Sequence, residues 1–189
     1  MQTMPTMPTM PTMPTATWHS ELDTPLGTLT VVRDDDGICG LYFPGHWTRP
    51  DAARWGERRD DGFDVIAAQL ADYFAGRRQD FDVPLHLVGT ALQHQVWGAL
   101  QQIPFGSTRT YGAIAAEIGS SAAHARAVGH CVGHNPVSIL VPCHRVVGAK
   151  GALTGYAGGL ERKTALLTLE GVLAPGATSV TRTGDPTLW

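Results

Sequence analysis

The chain has 189 residues, of which 16% are charged, with a formal net charge of −3, three cysteines and eight histidines. That length holds one ordinary domain or two small ones with a real core. No apolar run approaches the roughly 18 residues a membrane helix needs, and the start lacks the basic and apolar stretches of a secretory signal. Three cysteines exclude a disulfide scaffold and point to a reducing, cytoplasmic setting. As an average, the mild acidity argues against nucleic acid as a partner.

The first 15 residues, MQTMPTMPTMPTMPT, repeat Met-Pro-Thr four times and hold all five methionines. Proline at every third position blocks helix and leaves nothing to bury, so residues 1–17 are expected to be a disordered leader. From Trp18 onward, short β-type runs at Leu29 to Val32 and Ile38 to Phe43 alternate with turn signals at Thr24 to Gly27 and Asp34 to Gly37. This pattern predicts a small antiparallel meander. Val65, Ile66, Leu70 and Phe74 follow at helical spacing, closed by Gly76. Phe81 to Leu87 reads as one more strand, which makes residues 18–89 a small α/β domain.

From Thr90 the pattern turns helical. Thr90 and Gln93 make a capping box, and Leu92, Val96, Leu100 and Ile103 form one apolar stripe. After a turn at Pro104-Phe105-Gly106, Thr110 caps a short helix carrying Ile114 and Ile118 and ended by Gly119. A Ser-Ser turn then leads to a second short helix, about Ala122 to Val132. Two short helices with a tight turn are compatible with a helix-turn-helix, a weak signal alone. Residues 90–174 read as a second, helical domain, and residues 175–189 as a flexible tail.

Charge divides at the same boundary. Residues 18–89 carry seven Lys/Arg against thirteen Asp/Glu, a balance of −6. Residues 90–174 carry six against three, a balance of +3, with five of the eight histidines. The average therefore conceals a basic half suited to a phosphate backbone.

Among the cysteines, Cys143 stands out by its neighbours. It follows the β-type run Ser138 to Val141 and Pro142, and precedes His144, Arg145, Val146 and Val147. Pro142 can begin a single helical turn. A thiolate there gains from exposed N–H groups and from His144 and Arg145, which predicts a lowered pKa. The competing reading is a buried cysteine closing a strand. A zinc site using Cys131, His134, Cys143 and His144 lacks the two spaced pairs that structural zinc wants. Cys39 and Cys131 read as core packing.

Pro142-Cys143-His144-Arg145-Val146, preceded by Arg126-Ala127-Val128-Gly129 and Asn135-Pro136 and followed by Thr154-Gly155-Tyr156-Ala157-Gly158-Gly159, resembles the O6-alkylguanine-DNA alkyltransferases, the methylated-DNA–protein-cysteine methyltransferases. The match runs from about Leu92 through Gly171, and Leu22 to Gly27 and Leu70 to Phe74 resemble the family's N-terminal domain. The resemblance implies an N-terminal ribonuclease-H-like α/β domain with a small antiparallel sheet. After it would come a C-terminal helical domain with a winged helix-turn-helix-like DNA-binding motif. It implies a monomer that repairs duplex DNA carrying O6-alkylguanine, and O4-alkylthymine as well. The alkyl group moves to the cysteine in one irreversible displacement, without a cofactor or metal.

Carried over residue by residue, the resemblance makes Cys143 the nucleophile, a soft thiolate well suited to attack on carbon. His144 is implied as its base through a bound water, with Glu170 orienting His144. Asn135 matches the hinge asparagine before Pro136, Tyr111 the tyrosine that turns the target nucleotide, and Arg126 the finger that replaces the flipped base. Arg145, Val146, Tyr156 and Ala157 are implied around the pocket. On residue type alone, Glu170 reads rather as a solvated helix-end carboxylate, Tyr111 as a helix-start aromatic and Arg126 as a solvated arginine. The second helix is rich in small residues, Ala125, Ala127 and Gly129 among them, which suits close approach to the minor groove rather than base reading in the major groove. His124, His130 and His134 depart from the family pattern and suggest DNA affinity that rises at mildly acid pH. Ala157 stands where some relatives have serine. The family's non-catalytic lesion-binding modules are the alternative, but they lack the cysteine. A cysteine hydrolase would leave the tyrosine, the arginine and the small-residue helix unexplained.

Overall fold

The computed structural model describes residues 16–121 and 124–180. The Met-Pro-Thr repeat and Ala122 and Ala123 lie outside the described residues. Three strands, β1 (Trp18–Leu22), β2 (Leu29–Arg33) and β3 (Ile38–Tyr42), pair antiparallel in the order β3-β2-β1. Their turns are built as their residues dictate. In the first, the Thr24 carbonyl accepts from Gly27 N at 3.0 Å. In the second, Asp34 Oδ1 accepts from the backbone N–H groups of Asp36 and Gly37, an Asx turn. Gly37 is required there: at φ 154° an added Cβ would lie 2.5 Å from the Pro84 carbonyl oxygen.

A two-residue strand β4 (Glu57–Arg58) pairs parallel to β1, so the sheet is mixed rather than wholly antiparallel. The expected strand at Phe81–Leu87 does not form. Only Leu85 bridges to Ile38, because Pro84 has no N–H to give a ladder. Side chains hold this segment instead: Gln69 bonds both the N–H and the carbonyl of Asp82, and His86 Nδ1 lies 2.6 Å from Asp34 Oδ2. Helix α1 (Asp64–Phe74) packs Ile66, Leu70 and Tyr73 inward, while Val65 is exposed.

Thr90 caps α2 (Ala91–Gln101) through the expected box with Gln93. The inward face carries Val96, Trp97, Ala99 and Leu100, whereas Leu92 is partly exposed. A two-residue strand β5 (Arg109–Thr110) leads into α3 (Tyr111–Glu117), capped by Thr110. Helix α4 (Ala125–Gly133) crosses α2 and α3 as the second arm of the helix pair. The Trp97 indole donates to the Cys131 carbonyl at 2.9 Å, locking α2 to α4.

The apolar run at Ser138–Val147 is not a strand apart from β6 (Val146–Val147), which pairs with β5. It folds into tight turns, with Ile139 at φ 71°, a left-handed conformation unfavourable for a β-branched residue. The run is apolar because it is buried on all sides, not because it belongs to a sheet. Strand β3 holds its start: Leu41 N donates to the Pro136 carbonyl and the Leu41 carbonyl accepts from Ser138 N. Helix α5 (Leu160–Leu169) is the last helix among the described residues, and Leu173 and Val180 beyond it add to the core. Of the segment read as a tail, Val180 is buried and donates to the Gly151 carbonyl; residues 181–189 lie outside the described residues.

One hydrophobic cluster runs through both halves, from Leu29 and Phe43 through Trp97 and Val128 to Cys143 and Leu166. Trp97 is its largest member, 1% exposed. Trp97→Ala is expected to cost about 3–5 kcal/mol in urea unfolding, from the cavity and the lost anchor to α4.

Candidate active site

Cys143–Arg145 form a single 3-10 turn opened by Pro142, and all three side chains are buried. Asn135 organises this turn from beneath. Its Nδ2 donates to the Val141 carbonyl at 2.8 Å and to Cys143 Sγ at 3.0 Å, and its Oδ1 accepts from Val137 N at 3.0 Å. One amide side chain thus joins the end of α4 to the Cys143 turn, and at 1% exposure it has no competing water.

The second organising group is Glu170, the C-cap of α5, whose carboxylate is fully buried. Oε1 receives His144 Nε2 at 2.8 Å, Arg145 Nη2 at 2.9 Å and the Tyr73 hydroxyl at 2.7 Å. Oε2 receives Arg145 Nε at 2.8 Å. A buried anion is stable only with such a set of donors. Burial alone would raise the Glu170 pKa, but the bonds from His144 and Arg145 outweigh it and hold it down at about 2. Bonding to this carboxylate assigns the proton of neutral His144 to Nε2, leaving Nδ1 a buried acceptor without a partner among the described residues. Burial also lowers the His144 pKa, against the pull of Glu170.

The expectation of an acidified Cys143 thiol is corrected. Burial raises its pKa, opposed by the Asn135 amide, by the charge of Lys163 and by the backbone N–H groups of Cys143 and His144. His144 and Arg145 do not lower it, because both turn toward Glu170. Arg145, implied beside the substrate, instead spans Glu170 and the Ile103 carbonyl (2.7 Å) with its guanidinium over Phe105.

The thiol forms the floor of a pocket of about 120 Å³. Tyr111 and Tyr156 stand on its sides, and Gly129, Gly155 and Ala157 leave it narrow but open. Burial raises the pKa of both tyrosines, so they stay protonated. Of the other residues singled out in the sequence, Arg126 and Ala127 are exposed on α4, and Ala125 is half-buried beside them. Pro136 contributes its carbonyl to β3, and Val146 is core. Cys131, His134, Cys143 and His144 do not converge as metal ligands. Among the described residues the only three such groups mutually within 4.8 Å are Asp34, Asp36 and His86, elsewhere in the fold. A larger groove of about 810 Å³ between the 79–87 segment and the end of α2 does not include Cys143.

Three residues at the site escaped the sequence reading. Tyr73 reaches Glu170 from α1, 97 positions away. Lys163 is wholly buried and donates to the carbonyls of Val146 (2.5 Å) and Thr154 (2.7 Å), with burial bringing its pKa to about 8. Trp47 closes the outer side of the pocket. The one available signal was Lys163 on the inward face of an amphipathic helix.

The family model described as "6-O-methylguanine DNA methyltransferase, DNA binding domain" matches residues 91–172, and that for the family's ribonuclease-like domain matches residues 18–87. The chain is 48% identical to a methylated-DNA–protein-cysteine methyltransferase of Mycolicibacterium paratuberculosis, over 79% of this chain and 89% of that one. It is 42% identical to the one from Methanosarcina acetivorans, over 82% and 98%. The crystal structure of Mycobacterium tuberculosis OGT in complex with DNA superposes with a TM-score of 0.77 at 45% identity, covering 82% of this chain and 93% of that one.

The depressed Glu170 pKa sets an acid limit on stability. Its contribution is complete above the ordinary carboxylate value of about 4.5 and is lost as pH falls through about 2. His144, held neutral in the fold, adds to the loss below its ordinary 6.5. Urea unfolding from pH 7 to 2 is expected to show a decline of up to about 3 kcal/mol from Glu170. Glu170→Gln is expected to start lower and to flatten this dependence.

Proposed function

The chain belongs to the 6-O-methylguanine DNA methyltransferase family and acts in DNA repair by transferring an alkyl group from DNA to a cysteine, and we propose that the acceptor is Cys143 and the donor O6-alkylguanine in duplex DNA. The observation that carries this reading is the Cys143 thiol at the floor of a narrow apolar pocket, backed by the buried His144–Glu170 pair. The raised resting pKa of the thiol requires a base. His144 Nδ1 is free to accept the proton through one water, and Glu170 stabilises the imidazolium that results. The thiolate attacks the alkyl carbon, the C–O6 bond breaks as the C–S bond forms, and guanine leaves as the neutral base after taking up a proton. The Tyr111 phenol, which lines the pocket and is kept protonated by burial, bonds the base and gives it a proton, then regains one through solvent from the His144 imidazolium. In sum the thiol proton passes to guanine and the alkyl group to sulfur, so each molecule reacts once. O4-alkylthymine presents the same alkyl–oxygen bond and is a second substrate of this reading.

The α3–α4 pair carries the DNA contact in the minor groove, and Arg126 enters the stack in place of the extruded nucleotide. Support comes from its exposure on α4. The repair unit is a monomer, with the division between sheet-bearing and helical parts at residues 89 and 90. A purely lesion-binding role is disfavoured by the presence and setting of Cys143.

Incubation with a duplex containing O6-methylguanine is expected to add one methyl group per molecule, mapped by mass spectrometry to Cys143. Cys143→Ala should gain none while still binding the duplex. Repeated turnover, or methyl on Cys39 or Cys131, would overturn the assignment. Arg126→Ala is expected to slow transfer from duplex DNA by at least about tenfold, the scale of an unstacking cost of a few kcal/mol. It should leave transfer from free O6-benzylguanine nearly unchanged; equal losses on both substrates would remove the finger role.

A further inference from the structure

Resting on the reading of Cys143 as alkyl acceptor, we propose that Trp47 is a specificity-determining residue. Its indole forms the outer wall of the pocket and packs against the alkyl substituent, favouring flat apolar groups over methyl. Trp47 belongs to the turn after β3, in the sheet-bearing half of the chain. Its backbone N–H donates to the Ala157 carbonyl at 3.3 Å, and the turn is closed by His46 N to the Phe43 carbonyl and Arg49 N to the His46 carbonyl. The ring lies across the end of α4. A Cβ added at Gly133 would stand 2.8 Å from Trp47 Cζ2, so in this position the indole rests directly against the glycine. The His134 ring meets it edge-on at 4.9 Å.

Trp47 is nonetheless 61% exposed, the one aromatic among the large exposed apolar residues described. An anchored indole with most of its surface in water, lining the pocket that holds the thiol, is positioned to be covered by substrate. Besides Cys143 and glycines, the rest of the lining is Tyr111, Tyr156, Val132 and Ala157, with no charged side chain among the described residues. Such walls gain from an aromatic or extended alkyl group and gain little from methyl, because stacking and apolar contact scale with the area covered.

The test uses two duplexes identical except for O6-benzylguanine or O6-methylguanine, so that DNA contacts are shared and only the alkyl group differs. Second-order rates of Cys143 alkylation are followed by intact mass for the wild-type chain, Trp47→Ala and Trp47→Phe. Trp47→Ala is expected to lose about tenfold with the benzyl substrate, the scale of one stacking contact, and far less with the methyl one. Trp47→Phe should recover most of that loss, and the thermal midpoint should not move. Equal rates for wild type and Trp47→Ala, or equal losses on both duplexes, would overturn the proposal. A wild-type chain that alkylates with neither duplex would instead refute the assignment of Cys143 beneath it.

Discussion

The Glu170 carboxylate is the constraint around which the molecule closes. A fully buried anion cannot persist without donors, and those it finds come from distant parts of the chain: Tyr73 on α1, and His144 and Arg145 on the Cys143 turn. The same set of bonds therefore joins the sheet-bearing half to the helical half and fixes the tautomer of His144. Stability and chemistry are coupled here, since loss of any one donor leaves charge uncompensated in the interior.

Asn135 plays the corresponding part on the other side of the turn. Its amide bonds the Val141 carbonyl and Cys143 Sγ while strand β3 grips Pro136 and Ser138. The strain at Ile139 is carried by this bracing. Burial keeps the thiol protonated at rest, so the cysteine is guarded against adventitious reaction and depends on its neighbours to release the proton.

Much of the local structure was legible in the residues. The Thr90 and Thr110 caps, the Pro142 turn and the split of charge between the halves each follow from short-range rules that burial does not overturn. Reading failed where burial took over. Ser138–Val147 is apolar enough for a strand, yet it turns back on itself because Asn135 and β3 take up its backbone groups. Phe81–Leu87 alternates correctly but is held by the Gln69 and His86 side chains rather than by a ladder.

The site divides in the same way. The identities of Cys143, His144, Asn135 and Glu170 stand out in the sequence because their residue types and the motif around Cys143 are specific. The direction in which each points does not. Arg145 sits next to His144 in the chain, and only the packed interior turns it toward Glu170 and away from the pocket. Tyr73, Lys163 and Trp47 reach the site from other elements, and of these only Lys163, on the inward face of its helix, leaves a local signal. By itself the sequence determined the turn around Cys143, the pair of short helices and the basic balance of residues 90–174. The tertiary structure decided the thiol's protonation, the donors of Glu170 and the walls of the pocket, because these depend on desolvation and on contacts between residues far apart in the chain.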